Sequence, residues 1–212
     1  NQIAPSFGLM ALRSGAQYRE ANRTLESMAG YFPGTRVVRG ANEPERIGVV
    51  FAERPIFHVL GVNAAAGRTF EPGDPTGTAV ASDEFARIRF GSGPPALGQT
   101  IATDNERFTI VGVMPPSFRL PYNTVRLQGT LAGAPVRLWA VVDPPANPRT
   151  AMDFTVARLK DGVDRAAARD DLHAIASRLA ASSLDTNARG LCIALPMGRP
   201  NSLRPGPPRL LL

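Results

Sequence analysis

The side chains that most often carry out chemistry in proteins are few in this sequence and far apart along it. There are two histidines, His58 and His173, and one cysteine, Cys192. A metal site built from nitrogen and sulfur ligands needs more of them, in closely spaced pairs. We therefore expect both histidines to be structural or exposed to solvent. Cys192 lies in the apolar run LCIAL, which predicts a buried structural thiol.

The sequence also lacks the motifs of phosphate-binding loops and of nucleophilic serines. No G-x-x-x-x-G-K or G-x-S-x-G motif occurs, and the glycines around position 92 run into Pro94 and Pro95, which have no N–H group to offer a phosphate. The acidic pair Asp170-Asp171 falls on a predicted helix and Asp164 at its start, where carboxylates favour solvation and the helix dipole. We assign no catalytic, cofactor-binding or metal-binding residue, and we predict that the protein is not an enzyme.

The positive charge of the chain does not predict nucleic-acid binding. The net charge is +6, yet Lys160 is the only lysine and the arginines are scattered along 212 residues. With three tyrosines and one tryptophan there is little for bases to stack on, so an arginine-rich solvated surface is the simpler interpretation. No apolar run approaches the length of a membrane helix, about 18 residues, and no signal peptide opens the sequence. We expect a soluble chain, consistent with a fragment of a longer protein.

The stretch 97–116 predicts a β-hairpin at the centre of the fold. Residues 101–103 and 108–114 are rich in β-branched and aromatic residues, which favour strands. Asp104 and Asn105 lie between them and tolerate the left-handed backbone of a tight turn. The second arm is apolar on both faces, so we expect Val111 to be part of the core and Val111→Asp to cost at least about 3 kcal/mol. Pro115 ends this arm.

The remaining elements follow from periodicity and from capping residues. Ser14 and Gln17 match a capping box, and apolar residues then recur at helical spacing up to Ala29, which predicts an amphipathic helix of about three turns. Further along, we predict strands at 31–38, 46–51, 78–81, 136–142, 154–159 and 191–195. We also predict a helical turn at 55–60 and a helix capped by Ser82. A long helix should run from Asp164 to about Ser182, with the apolar stripe Ala168, Leu172, Ile175 and Leu179.

These elements predict an α+β fold in which one α/β subdomain is inserted into another. The first would be built from both chain ends, residues 1–66 and 150–212, and the second from residues 67–149, with the central hairpin in it. The chain would cross between them at 61–68 and again at 144–150, where Gly, Ala and Pro are frequent. We expect these crossings to act as hinges between two rigid bodies, detectable with spin labels at Arg23 and Asp104.

Six blocks of the sequence resemble those of a known family. The blocks FHVLGV at 57–62 and GRTF at 67–70 resemble the F-x-V-L-G-V and G-R-x-F signature of the MacB-like periplasmic core domains. The next two family blocks look like segments that follow here in the same order. The first is FG at 90–91 with LGQTI at 97–101, and the second is FTIVGVMP at 108–115. FRLP comes at 118–121, and ARLKDGV at 157–163 is similar to the A-R-L-K-x-G-V block. Six blocks in the same order make the resemblance specific, and it extends from about residue 18 to residue 196.

The resemblance implies a domain between the first and second membrane helices of an ABC-transporter permease of the MacB/FtsX type. It implies a periplasmic location and a porter-like subdomain made from both chain ends. The implied partners are the membrane helices of the same permease, a separate cytoplasmic ATPase subunit, a periplasmic adaptor protein and a second copy in a dimer. In such permeases, ATP hydrolysis in the cytoplasm would move this domain against cargo or adaptor. Among such permeases, the sequence most resembles the duplicated permeases of soil bacteria that lack a fused ATPase.

Two other functions stay open at the level of sequence. The first is a stand-alone periplasmic binding module for a peptide or a lipid, which would have no membrane helices encoded on either side. The second is a hydrolase, which would need a pocket with convergent acids of perturbed pKa, or a metal.

Overall fold

The computed structural model describes residues 13–39, 43–91, 93–118, 134–143, 154–182 and 210–211. The helices in these ranges are α1 (Arg13–Ala21), α2 (Ile56–Leu60), α3 (Asp83–Phe90) and α4 (Arg165–Ser182), and Pro94–Ala96 form a 3-10 turn. The strands are β1 (Leu25–Val38), β2 (Glu45–Ala52), β3 (Ala66–Gly67), β4 (Thr78–Ala81), β5 (Thr100–Ala102), β6 (Arg107–Val113), β7 (Val136–Val141), β8 (Phe154–Leu159) and β9 (Leu210–Leu211). The fold is mixed α/β, as predicted. None of the helices described combines the length and the apolar character that a membrane crossing requires.

All of these strands belong to one mixed sheet. Its order is β3-β6-β4-β7-β2-β1-β8-β9, and β5 pairs with the same edge of β6 as β3 does. Strands β2 and β7, and likewise β4 and β6, run parallel, whereas the other pairs are antiparallel. The end of β1 also meets the hairpin turn through a bridge between Val38 and Thr103. Six strands, β1-β2-β7-β4-β6-β5, therefore form a ring, which we refer to as the ring below.

The ring has an apolar inside, and its outside is covered along β2 and β7. Each of its six strands contributes buried side chains to one cluster, which includes Val38, Val49, Ile101, Ile110 and Leu138. The alternate residues of β2 and β7 point the other way and pack with α2 in a second cluster. This alternation is what a strand covered on both faces requires. The interior of the ring is therefore filled with side chains.

A third cluster lies where β1 and β8 extend beyond the ring. Helices α1 and α4 pack there on the sheet, and the buried residues of the cluster include Tyr18, Leu25, Met28, Leu172 and Ile175. The predicted apolar stripe of α4 is thus confirmed at Ala168, Leu172 and Ile175, all of which are buried. Helix α2 packs on the opposite face of the same two strands, because its cluster contains Ala29 and Val156.

The prediction of one helix reaching to Ala29 was wrong. Helix α1 ends at Ala21, and Ser14 lies inside it rather than capping it. Leu25 and Met28 belong to β1, which pairs with β8 with a register shift between Leu25 and Ser27. A bulge of this kind adds one residue to a strand, so side chains three apart can share a face. The spacing that suggested a helix is therefore the spacing of a bulged strand.

Strand β1 also passes through a proline without a break. Pro33 pairs in register with Val50 of β2, but the pairing with β8 on the other side ends at Tyr31. The N–H of Glu53 donates to the carbonyl of Gly30, so in this register the nitrogen of Pro33 points away from β2, and the proline removes no hydrogen bond from that ladder. The strand predicted at 31–38 is thus the second half of a longer one.

The central hairpin is confirmed, but its turn differs from the expectation. Strands β5 and β6 are antiparallel, with Ile101 opposite Phe108. No described residue other than glycine has a positive φ, so Asp104 and Asn105 do not use the left-handed backbone. Instead, the N–H of Thr103 donates to the carbonyl of Glu106 at 2.9 Å, and the Thr103 hydroxyl donates to the same carbonyl at 2.8 Å. Only Asp104 and Asn105 lie between these two residues, so the turn has the expected two residues but not the left-handed backbone.

The core position in β6 also differs from the expectation. Ile110 is fully buried at 0% exposure, whereas Val111 is only partly buried against the outer cluster. The register of β6 against β4 shifts at this point, between Ala79 and Val80. Because Val111 retains contact with solvent, a carboxylate there can reach water, and the cost of at least about 3 kcal/mol expected for Val111→Asp does not apply. Ile110 is the residue that tests the core.

The capping predictions for α3 and α4 are confirmed, unlike the one for α1. The Ser82 hydroxyl accepts a hydrogen bond from the N–H of Phe85 at 3.2 Å, and the Asp164 carboxylate accepts one from Ala167 at 2.8 Å. Helix α2 closes at Gly61, which has φ of 66°. The strands predicted at 46–51, 78–81, 136–142 and 154–159 are β2, β4, β7 and β8.

The division into two subdomains stays a prediction. The ring takes strands from both proposed parts, and β2 of one part pairs with β7 of the other. The first proposed crossing contains β3, which pairs with β6 and is flanked by hydrogen bonds from Ala65 and Arg68 to β6. The second proposed crossing, 144–150, lies outside the described residues. So do the predicted strand at 191–195 and Cys192 within it.

Candidate functional site

The two histidines lie on opposite faces of the sheet. His58 is on α2, with its side chain 71% exposed and Nε2 at 4.0 Å from a carboxylate oxygen of Glu26. His173 is exposed on α4. Within the described ranges, no group of three or more histidine, cysteine, aspartate or glutamate residues could hold a metal ion. The structure thus brings neither histidine into a site with the other, and both are exposed to solvent.

The acidic residues of α4 have structural roles, one of which the sequence did not reveal. Asp164 caps the helix, as predicted. Asp171 accepts hydrogen bonds from the N–H of Arg23 at 2.8 Å and from the hydroxyl of Thr24 at 3.0 Å. These two residues form the connection between α1 and β1. Asp171 therefore joins α4 to this connection, across 147 residues of sequence, a distance that no local pattern can signal.

Several of the blocks singled out in the sequence meet at one place in the structure. The phenyl group of Phe57, from the first block, has its centroid 5.0 Å from that of Phe70 and 6.0 Å from that of Phe118. Phe118 in turn lies 5.1 Å from Trp139 of β7 in an edge-to-face arrangement. Such pairs add roughly 0.5–1.5 kcal/mol each beyond the burial of their area. We refer to Phe57, Phe70, Phe118 and Trp139 as the aromatic junction.

Two glycines of these blocks face each other across the sheet. Gly67 of β3 is paired with Gly112 of β6. A Cβ atom on Gly112 would overlap the carbonyl oxygen of Arg68, and one on Gly67 would overlap that of Val111. Gly67 also has φ of 69°, which favours glycine. The G-R-x-F and I-V-G-V blocks therefore fit together because neither strand has a side chain where Gly67 faces Gly112.

The arginine next to this crossing holds the following loop. Arg68 donates two hydrogen bonds to the carboxylate of Asp74, at 2.8 and 2.7 Å, and Asp74 also accepts one from the N–H of Glu71. Arg54 donates to the backbone carbonyl of Asp74 at 2.7 Å. The hydrogen bonds from Arg68 hold the pKa of the buried Asp74 below its usual range and raise the pKa of Arg68. This planar two-bond pairing fixes the loop that leads to β4.

A second buried carboxylate joins α1 to the sheet. Glu53, just after β2, is 3% exposed and accepts a hydrogen bond from the N–H of Gly30 at 2.8 Å, and it forms an ion pair with Arg19 of α1. A carboxylate buried this deeply is stable only when it is paired. The pair therefore fixes α1 on β1 and β2.

The family model described as the MacB-like periplasmic core domain matches residues 4–175, which is most of the chain. The chain belongs to this family. Among curated proteins, none matches it. The family that the six blocks indicated is thus confirmed, and three of these blocks supply Phe57, Phe70 and Phe118 of the aromatic junction of this chain.

Solved structures support the same fold. The periplasmic region of MacB from Actinobacillus actinomycetemcomitans is similar with a TM-score of 0.52 and 16% identity, over 83% of this chain and 75% of that one. A domain of a protein described as a permease from Porphyromonas gingivalis is similar with a TM-score of 0.53 and 16% identity, over 83% of this chain and 78% of that one. At such identities the likeness concerns the fold.

The family places this chain outside the cytoplasm, as the extracytoplasmic domain of a MacB/FtsX-like ABC transporter permease. The membrane part and the ATPase of such a transporter are its implied partners. In this MacB-like periplasmic core domain, the charged groups described above hold elements together: Arg68 with Asp74, Arg19 with Glu53, and Asp171 with the start of β1.

Proposed function

We propose that this domain transmits the ATP-driven conformational change of its permease to cargo or to an adaptor protein, without catalysis of its own. The family match over residues 4–175 carries the proposal. Its partners are the membrane helices of the same permease, a separate cytoplasmic ATPase subunit and a periplasmic adaptor, and the transporter is a dimer. The separate ATPase subunit is what the resemblance to duplicated permeases without a fused ATPase implies.

The packing of the domain suits such a role. The inside of the ring is filled, α1 and α4 are fixed on the sheet by a buried ion pair and by Asp171, and the aromatic junction joins α2 to the outside of the ring. Close-packed interiors of this kind transmit a displacement instead of absorbing it. A push at the α1 and α4 side would therefore reach the hairpin side through the sheet.

The test uses the full-length permease with its ATPase subunit in lipid nanodiscs. A single spin label at Ile88, which is 71% exposed on α3, reports the distance between the two copies of the domain. The background substitution Cys192→Ser removes the native thiol. We expect the distance distribution to shift on addition of Mg-ATP, and to stay shifted when an ATPase subunit that binds but does not hydrolyse ATP is used.

A pair of labels within one copy, at Arg23 and Ile88, is the matched control for motion of the whole domain. If the distance between copies is the same with and without nucleotide, the proposed transmission is wrong. Membrane helices encoded on both sides of this chain would also exclude the stand-alone binding module.

A further inference from the structure

The ring is not equally strong around its circumference. Five of its six junctions are ladders of at least three residue pairs. The sixth, between β1 and the hairpin turn, consists of the single pair Val38 and Thr103. Two backbone hydrogen bonds flank this pair, from Arg39 to Ala102 at 3.2 Å and from Asp104 to Val37 at 3.0 Å.

Side chains reinforce this junction. The carboxylate of Asp104 accepts a hydrogen bond from the N–H of Val37 at 3.2 Å. Glu106 pairs with Arg36, with N–O distances of 2.7 and 2.6 Å. The guanidinium of Arg36 also lies 4.5 Å above the ring of Phe51. We refer to residues 36–39 and 102–106 as the clasp.

The clasp lies at the surface, but it covers the interior of the ring. Asp104 is exposed, and the side chain of Glu106 is 36% exposed. Within the clasp, the side chain of Val38 turns into the ring interior and is 1% exposed, and the neighbouring Ile101 is 3% exposed. The clasp is therefore held by one buried side chain and by a few polar contacts that water can reach, while each ladder on either side is held by several buried side chains. Backbone bonds of the first kind open locally at lower free energy than those of the second kind.

We propose that this domain opens locally at the clasp. In the open form, the end of β1 is separated from the hairpin turn while the other five junctions of the ring stay paired, and the separation is reversible. The ion pair between Arg36 and Glu106 sets how often this happens. This opening goes beyond the proposed transport function, because it is a property of the chain by itself.

Amide hydrogen exchange of the chain, followed residue by residue with NMR, tests the opening. We expect the amides of Arg39 and Asp104 to exchange at least 100-fold faster than amides hydrogen-bonded in the β1–β2 ladder. Exchange of both sets at the same rate would mean that the clasp opens only when the whole sheet does, and would overturn the proposal.

Two variants test what controls the opening. Glu106→Gln removes the charge that pairs with Arg36, and because both side chains are partly exposed we expect exchange of the Arg39 and Asp104 amides to become about 2- to 5-fold faster, with the ladder amides unchanged. Asp83→Asn is the matched control, because it removes the carboxylate of an exposed ion pair with Arg87 on α3. If both variants change the clasp amides equally, the pair does not control the clasp.

A disulfide across the clasp provides a measurement that does not depend on removing a contact. The hydrogen bonds flank Val38 and Thr103 instead of joining them, which is the antiparallel arrangement with the shorter Cα separation, about 4.5 Å, within reach of a disulfide. We expect oxidised Val38→Cys/Thr103→Cys, with Cys192→Ser, to slow the clasp amides to the rate of the ladder. Reduction should restore the fast exchange. Fast exchange in the oxidised protein would overturn the proposal.

Discussion

Ile110 and Val111 are neighbours on β6 with opposite environments, which makes them a matched pair for testing the ring interior. Ile110 is 0% exposed inside the ring, and Val111 is partly buried outside it. Ile110→Ala removes three buried carbon atoms, worth about 0.8 kcal/mol each, or about 2.4 kcal/mol together. The cavity left behind adds to this, since β4 and β5 hold both sides of β6 in place. We expect a total loss of about 3–4 kcal/mol.

Val111→Ala removes two carbon atoms that already contact solvent in part, so we expect a loss of about 1 kcal/mol or less. Urea unfolding of the chain, followed by the fluorescence of Trp139, measures both. With a slope of about 2 kcal/mol/M, the midpoint should fall by roughly 1.5–2 M for Ile110→Ala and by at most about 0.5 M for Val111→Ala. The slopes themselves should match that of the wild type.

The reasoning is refuted if the two variants lose the same stability, or if Val111→Ala loses more. Either result would mean that the inside and the outside of the ring are exchanged at this strand. A changed slope would instead show that the compactness of one state had altered, and the free energies could not then be compared.

Four other predictions concern the loop, the crossing, nucleotide and the transporter. Gly112→Ala should lower the urea midpoint more than Val111→Ala does, although it adds an apolar atom, because the new Cβ would overlap the carbonyl of Arg68. An unchanged midpoint would contradict the close approach of β3 to β6 at this residue. Because Arg68 lowers the pKa of Asp74 in the folded state, their pairing stabilises the fold at pH values above the unfolded-state pKa, about 4, and this stabilisation is lost as the pH falls through the folded-state pKa. Asp74→Asn should therefore lower the free energy of unfolding at pH 7, and this free energy should fall less on acidification than that of the wild type. Calorimetric titration with Mg-ATP should show no binding to the chain, and a phosphate-release assay no turnover; micromolar affinity would be the contrary result. In the full permease, the oxidised Val38→Cys/Thr103→Cys disulfide should reduce cargo-dependent ATPase activity reversibly, and undiminished activity would separate the clasp from transport.

Much of the local structure was predictable, because its causes are local. Ser82 and Asp164 cap helices through contacts to residues three positions away, and Gly61 ends α2 through its own backbone conformation. The strands at 46–51 and 154–159 have compositions that favour a pleated chain. The order of the six blocks also identified the family, since such a match needs no knowledge of contacts.

The tertiary structure decided the features that depend on distant partners. The bulge in β1 puts Leu25 and Met28 on one face, and only the pairing with β8 distinguishes that spacing from a helix. Asp171 looked like a solvating acid because the backbone and hydroxyl groups that it binds are far away in the sequence.

The ring depends on such partners most of all. Nothing in residues 36–39 or 102–106 predicts that they meet, and their meeting converts an open sheet into a nearly closed one. The sequence by itself indicated most of the longer strands and the family to which the chain belongs. Their register and the closure of the ring came from the tertiary structure, because a β-ladder is stabilised by side chains on strands that no local pattern connects.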